Sequence, residues 1–428
     1  MVMEQNESTT TKHFSNSLKN LTGTFFYFFC QWLMLILVIR IAGFEVSGEF
    51  VLVTTLTNPF GILSAFCIRS YQLSDINRKF YPQQYTGAYL ITCAAALLCF
   101  LAVLSIIGYN KNVSLCCFVY IFFKLCETFS VYIITYMQIE NKYTKITVSY
   151  ILKGIIPLAG FSLCLFFMHD LLLSILIMTI LFLLIVLFYD LSVINLNILH
   201  GVMIKDTGKI IKSCIPLVLS SLFLPYCQFL MRYNVEKIYG MEKLGYFSAM
   251  TMVILIINII AGSVFIVIIP VISKNYLENN KKNLVKILLI ILGIIFIMVS
   301  ITILLAVFTG DMIFSLVFGI EILPYMYLLI PVIIASAFLV ISGLLNTFLN
   351  AIYKRINILI CMTAGALTLT IIIIPATKIY GMSGNIYSFI ISVIIINILQ
   401  IIFIIYNIVK LNKIKKIFQF ELIDNEIN

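Results

Sequence analysis

The chain is 428 residues long, 62% of them hydrophobic and only 11% charged, with a formal net charge of +10. This composition excludes a water-soluble domain with a polar surface and describes an all-α polytopic membrane protein. It also excludes nucleic acid as a partner, because Lys and Arg sit in short loops between apolar runs and not clustered on a soluble face.

Residues 1–19 are polar and carry no cleavable-signal pattern. The apolar run Asn20 to Ile39 is long enough, at about 1.5 Å per residue, to cross a hydrocarbon layer of roughly 30 Å, and is expected to stay as a helix. Runs of this kind predict about 12 transmembrane helices, at 20–40, 48–68, 86–108, 113–137, 146–168, 171–190, 213–233, 246–272, 287–308, 322–345, 358–376 and 385–408. Pro59, Pro157, Pro216, Pro225 and Pro331 fall inside them and predict kinks.

With the N-terminus in the cytoplasm, the inner loops hold 20 of the 28 Lys and Arg and the outer loops six. The positive-inside rule therefore puts both termini on the cytoplasmic side of a multi-pass protein. The longest inner connection, 191–212, carries Lys205, Lys209 and Lys212 among isoleucines. It reads either as an amphipathic helix on inner-leaflet lipids or as a plain solvated linker. The basic tail Lys410 to Lys416 reads as a topology anchor. Eleven cysteines without a CxxC pair, and three histidines, predict neither a metal site nor a cofactor.

The stretch Arg40-Ile-Ala-Gly43-Phe-Glu45-Val-Ser-Gly48-Glu-Phe50 returns as Lys237-Ile-Tyr-Gly240-Met-Glu242-Lys-Leu-Gly245-Tyr-Phe247, with matching positions 197 residues apart throughout. A half-length repeat predicts two six-helix halves, 1–200 and 201–428, in one orientation, with the substrate site between them. In each copy the motif caps an outer hairpin. Glycine allows the tight turn, and the acid suits the start of the following helix. The two hairpins are also placed to act as opposing outer gates, with Arg232 at the outer end of the preceding helix of the second copy. Lys378 to Met382 echoes the second copy and reads as the same turn solution reused.

The hairpin motif, the segment Arg69-Ser-Tyr-Gln-Leu-Ser-Asp75 and the exit Tyr136-Met-Gln-Ile-Glu-Asn-Lys142 resemble polysaccharide transporters of the multidrug/oligosaccharidyl-lipid/polysaccharide (MOP) exporter superfamily. Within it the chain is most similar to Wzx-type flippases. The resemblance implies two MATE-like six-helix lobes around a central cavity that work by alternating access. It implies a substrate, an undecaprenyl-pyrophosphate-linked O-antigen, capsule or exopolysaccharide repeat unit, and a bacterial inner-membrane location. No enzyme activity is expected, and polysaccharide polymerase and chain-length machinery are the expected partners beside membrane lipids.

Lys124 and Glu127 lie deep in the fourth span, Lys124 about 20 Å from either surface. An ionisable group at that depth turns to a polar cavity or to a partner. Since the two residues are i and i+3, cavity lining and an intrahelical ion pair both stand as readings. Lys153 reads equally well as cavity-lining or as snorkelling to the inner headgroups. With two lysines against one glutamate, the interior is expected to be positive and to suit an anionic group. Arg69, beside Asp75, marks the inner mouth. Gln31, Asn58, Gln228 and Asn258 are candidates for sugar hydrogen bonds or for interhelical glue. Glu127 is the candidate carboxylate for H⁺ or Na⁺ coupling. The competing functions are a cation-coupled multidrug antiporter, which would want acidic groups at mid-membrane, and a membrane-embedded glycan polymerase, which would want a catalytic cluster at the outer surface.

Overall fold

The computed structural model of the chain describes residues 2–75, 79–194, 202–278, 280–352 and 355–426. Within them it is helical almost throughout, as a bilayer demands of backbone that finds no water to bond. In order, the first part contains α1 (Val2–Ala65), α2 (Ile68–Ser74), α3 (Pro82–Ile107), α4 (Lys111–Ile139), α5 (Tyr143–Met168) and α6 (Leu171–Ile185). A π-helical turn (Val186–Asp190) then leads into the short α7 (Leu191–Val193). After the inner connection come α8 (Thr207–Ser221), α9 (Phe223–Tyr239), α10 (Met241–Leu277) and α11 (Lys281–Phe318). A 3-10 stretch (Ile320–Leu328) precedes α12 (Leu329–Ala351), α13 (Arg355–Tyr380) and α14 (Met382–Glu426).

Among the described residues nine helices are long and apolar enough to cross a membrane, and the pair α8–α9, bent by 41°, makes a tenth. α1 joins the first two expected spans across a break at Gly43, and the eighth expected span lies on α10. The α8–α9 bend has a local cause. Pro225, in the first turn of α9, has no N–H to give to the carbonyl four residues back, so the helix cannot run straight through Leu222.

The inner connection differs from the amphipathic surface helix that is one of its two readings. Residues 195–201 lie outside the described residues, and 202–206 are not helical. The alternation belongs instead to α8, which exposes Lys209 and Lys212 and buries Ile210, Cys214 and Val218 at intervals of one turn. The tail lysines 410–416 lie on the backbone of α14.

The chain divides into two compact units, Met1–Ala249 with Val317–Gly319, and Met250–Leu316 with Ile320–Asn428. The first unit is closed by aromatic packing, with Phe50 against Phe161 at 5.4 Å and Phe123 edge-on to Phe182 at 5.1 Å. In the second, Phe265, Ile291, Ile295, Val340 and Leu344 form one apolar core. Its α12 and α14 are tied by Gln400 donating to the Asn346 side-chain oxygen at 2.7 Å and Asn397 donating to the Phe338 carbonyl at 3.0 Å.

Candidate functional site

The deep charges of α4 behave in both of the ways the sequence leaves open. The Lys124 ammonium bonds Glu127 Oε2 at 2.8 Å, and the Tyr27 hydroxyl donates to Glu127 Oε1 at 2.6 Å. The ammonium also lies over the rings of Tyr120 and Phe123, at 5.6 and 5.7 Å from their centres. The same pair faces a cavity of about 300 Å³, lined also by Asn58, Gly61, Thr128 and Pro225. The lysine stem packs beside Gly61, where a Cβ would meet it in ordinary van der Waals contact. Lys124 and Glu127 keep side-chain exposures of 16% and 21%.

Lys153 takes neither of its expected places. It is 1% exposed and turned into the lobe, where it pairs with Asp190, itself fully buried. Ser130 and Ser149 complete the group. Lys153 donates to both hydroxyls, and these donate on to Asp190 at 3.1 and 2.7 Å. The charge count of the interior is corrected by this pair, because two lysines now face two carboxylates. Sequence reasoning missed Asp190 because it stands at the edge of the sixth span, where an acid looks like a loop residue. The available signal was its isolation, since Leu171 to Tyr189 holds no other charge.

Arg232 is the cation left over. Its Nη1 donates to Thr55 Oγ1 at 2.7 Å, Thr55 is buried, and among the described residues no carboxylate pairs with the guanidinium. Thr55 is one turn of α1 from Asn58, and Arg232 is two turns of α9 from Pro225. Neither Arg232 nor Thr55 lines the Lys124 cavity, but each shares a helix with a residue that does. Gln31 and Gln228 are partly buried and do not line that cavity. Asn258, in the second unit, donates to the Ile254 carbonyl of its own helix at 2.7 Å.

At the other end of the first unit, Arg69 donates to Gln138 Oε1 at 3.0 Å. Asp75 has different partners, the N–H groups of Lys79 and Phe80 at 3.0 and 3.3 Å and the Tyr85 hydroxyl at 2.8 Å. Burial pushes the Asp75 carboxyl up, but these donors and the Lys79 charge together hold it below its ordinary value.

The repeated hairpins share one backbone geometry. Gly43 has φ 84°, ψ −179° and Gly240 has φ 84°, ψ 178°, a region essentially reserved for glycine. The second glycines pack reciprocally: a Cβ on Gly48 would run into the Met241 carbonyl, and one on Gly245 into the Phe44 carbonyl. Phe44 and Met241 are themselves equivalent positions of the repeat, so the contact has two-fold character. Phe44 also stacks on Tyr246 at 3.9 Å, while Glu45 and Glu242 are exposed. The basic residues of the two copies are held differently. Arg40 donates to the Val317 carbonyl at 2.8 Å, whereas Lys237 lies over the rings of Tyr109 and Tyr233 at 5.1 and 5.5 Å.

No family model matches the sequence. In shape, a mutant of the Vibrio cholerae MATE transporter VcmN superposes with a TM-score of 0.65, covering 94% of this chain and 97% of that one at 11% identity. The fold is that of MATE transporters. A second similar structure is a MOP-superfamily transporter from Pyrococcus furiosus, whose binding pocket of reverse polarity suggests a different function for that protein. It matches with a TM-score of 0.57 over 92% of this chain and 95% of its own at 11% identity. In sequence, the chain is similar to the Staphylococcus aureus capsular polysaccharide biosynthesis protein CapF, 25% identical over 303 residues that make up 68% of this chain and 74% of CapF. Among the described residues no group of three or more His, Cys, Asp or Glu is placed to hold a metal ion.

Proposed function

We propose that the chain is a transporter, not an enzyme, that carries an undecaprenyl-pyrophosphate-linked oligosaccharide repeat unit across the bacterial cytoplasmic membrane for surface polysaccharide biosynthesis. Both termini are cytoplasmic in this reading, and polysaccharide polymerase and chain-length machinery act next to it. The MATE fold supports membrane transport, and the likeness to CapF supports a polysaccharide cargo.

The observation that carries the reading is the charge balance around the cavity. Both buried carboxylates are engaged, Glu127 by Lys124 and Tyr27 and Asp190 by Lys153 and two serines. Among the described residues Arg232 has only a neutral hydroxyl. The group that completes such a site is an anion, and a guanidinium suits a phosphate because its planar donors meet two oxygens at once. A multidrug antiporter for organic cations would want a negative mid-membrane site, whereas each of these carboxylates is balanced by its own lysine. The Pyrococcus protein supports the same step, since one fold serves pockets of opposite polarity. In this reading Glu127 couples transport to H⁺ or Na⁺, and the Gly48–Gly245 contact is the closed outer gate.

The test is a strain depleted of the protein, with wild type, Lys124→Ala or Arg232→Gln returned to it. Lipid-linked oligosaccharide should accumulate on the inner leaflet and be cleared by wild type alone, with both variants present in the membrane at wild-type amounts. Absence of accumulation together with greater susceptibility to cationic dyes would hand the chain to the antiporter reading.

A further inference from the structure

A second and larger cavity, about 610 Å³, lies where the end of α2, the start of α3 and the end of α4 meet. It shares none of its lining with the Lys124 cavity. Rings supply its walls. Phe80 and Tyr85 meet edge to face at 6.1 Å, and Tyr136 and the 69% exposed Tyr81 add two more faces. Besides the tyrosine hydroxyls, its polar side chains are Asp75, Glu140 and Gln72. Gln72 is 7% exposed, yet its side-chain oxygen has no hydrogen-bond partner. A buried carbonyl oxygen left in this state lacks a bond that a guest with an O–H or N–H would supply.

Two carboxylates and an amide oxygen of the lining are acceptors, and the Tyr85 and Tyr136 hydroxyls are already donating, to Asp75 and to the Pro82 carbonyl. The guest must therefore bring donors. An ammonium ion would satisfy that demand, but the charges are already answered. Glu140 pairs with Lys142 at 2.6 Å, and Asp75 holds two backbone N–H groups and the Tyr85 hydroxyl. Lys79 stands over the Phe80 ring at 6.0 Å, adding positive charge at the same place. What fits is a neutral guest with hydroxyl donors on its edge and C–H surface on its faces, set between aromatic walls.

We infer that this pocket binds a sugar ring. It is on the Arg69 side of the unit, which the distribution of basic residues makes cytoplasmic. Sugar binding stands on the pocket alone; that the sugar belongs to a lipid-linked cargo awaiting transport rests on the flippase reading. In that case the pocket holds the glycan at the inner mouth, separately from the phosphate site beside Lys124 and Arg232. It would select cargo by its sugar while the cavity selects it by charge.

The experiment is saturation-transfer NMR on the full chain in lipid nanodiscs. The probes are methyl glycosides of a neutral hexose and of an N-acetylhexosamine, with tetramethylammonium as the cation probe. Wild type should pass saturation to the glycoside C–H protons. Gln72→Leu and Tyr81→Ala should each weaken binding about tenfold, as expected for one lost bond or stacking face. Because Tyr81 is mostly exposed, its loss does not threaten folding. Lys124→Ala, whose side chain lines the other cavity, should leave the glycoside signal as it is. The inference is overturned if neither glycoside binds wild type, if both pocket variants bind as wild type does, or if only tetramethylammonium binds. If glycosides bind but cells depleted of the protein accumulate no lipid-linked oligosaccharide, the flippase reading falls and the sugar site stands. If depleted cells accumulate it and wild type clears it while no glycoside binds, the sugar site falls alone.

Discussion

Two of the first unit's lysine–carboxylate pairs lie within its spanning helices, and their surroundings give them different work. Lys153 and Asp190 are 1% and 0% exposed, with two serine hydroxyls filling the remaining hydrogen-bond positions. Lys124 and Glu127 are 16% and 21% exposed, and they border a cavity of about 300 Å³. Burying two charges costs more than their attraction returns unless every donor and acceptor is met. The first pair meets that condition internally and so has nothing left to offer a guest. The second is met in part by Tyr27 and aromatic faces, and its open side gives access to whatever enters the cavity. A charge in the membrane therefore signals function only after its partners have been counted.

The largest effect should come from breaking the closed pair on one side. Asp190→Ala leaves Lys153 charged and unanswered among Ser130, Ser149 and the Phe182 ring, and should cost about 3–5 kcal/mol. The measurement is the amount and melting temperature of folded protein extracted from the membrane, both of which should fall sharply. Replacing both partners, Lys153→Met with Asp190→Leu, should restore folding to within about 1 kcal/mol, since an apolar pair of similar volume often serves as well. A double variant that folds and still transports would establish the pair as structural. One that folds without transporting would erase the contrast between the two pairs.

The matching double change at the cavity, Lys124→Met with Glu127→Leu, should show the reverse. Stability should move by about 1 kcal/mol or less, because the cavity already solvates part of these groups. Under the proposed function, clearance of lipid-linked oligosaccharide from the inner leaflet should stop. Glu127→Gln alone sharpens the point: it keeps the shape and the Tyr27 bond but removes the charge, and under the coupling proposal transport should lose its dependence on an ion gradient.

Much of this was legible in the sequence, and the misses have physical reasons. Apolar run length located the long helices, though not the short α2 and α7, because a spanning segment must satisfy its own backbone and cannot hide that need. The repeat at Arg40 and Lys237 is matched in the backbone at its first glycines, since Gly43 and Gly240 adopt one geometry that glycine alone tolerates. Lys124 with Glu127 was readable since i and i+3 share a helix face. Asp190 with Lys153 was not, because their meeting depends on how a π-helical turn at the end of α6 aims a side chain toward α5. Arg232 with Thr55 lay out of reach for the same reason, with 177 residues of chain between them. Local periodicity names the charges, while tertiary packing decides which of them stay unanswered.

The smallest change should be the most discriminating. Tyr27→Phe removes one hydroxyl from Glu127 Oε1 and keeps the ring that packs 5.9 Å from Tyr150. A hydrogen bond to a charged group is worth more than a neutral one, but the open side of this site lets water replace it, so the stability cost should be about 1 kcal/mol. If the Lys124 pair is purely structural, nothing else should follow, and transport at a saturating ion gradient should match wild type. If Glu127 couples transport, the lost donor changes how the carboxylate holds its ion, and the gradient needed for half-maximal clearance should shift while the maximal rate stays close to wild type. The same substitution has no counterpart at Asp190, where each oxygen is held by a serine and no water can enter to take a missing bond. A gradient shift without a matching loss of stability would thus separate the working pair from the structural one by a single oxygen atom.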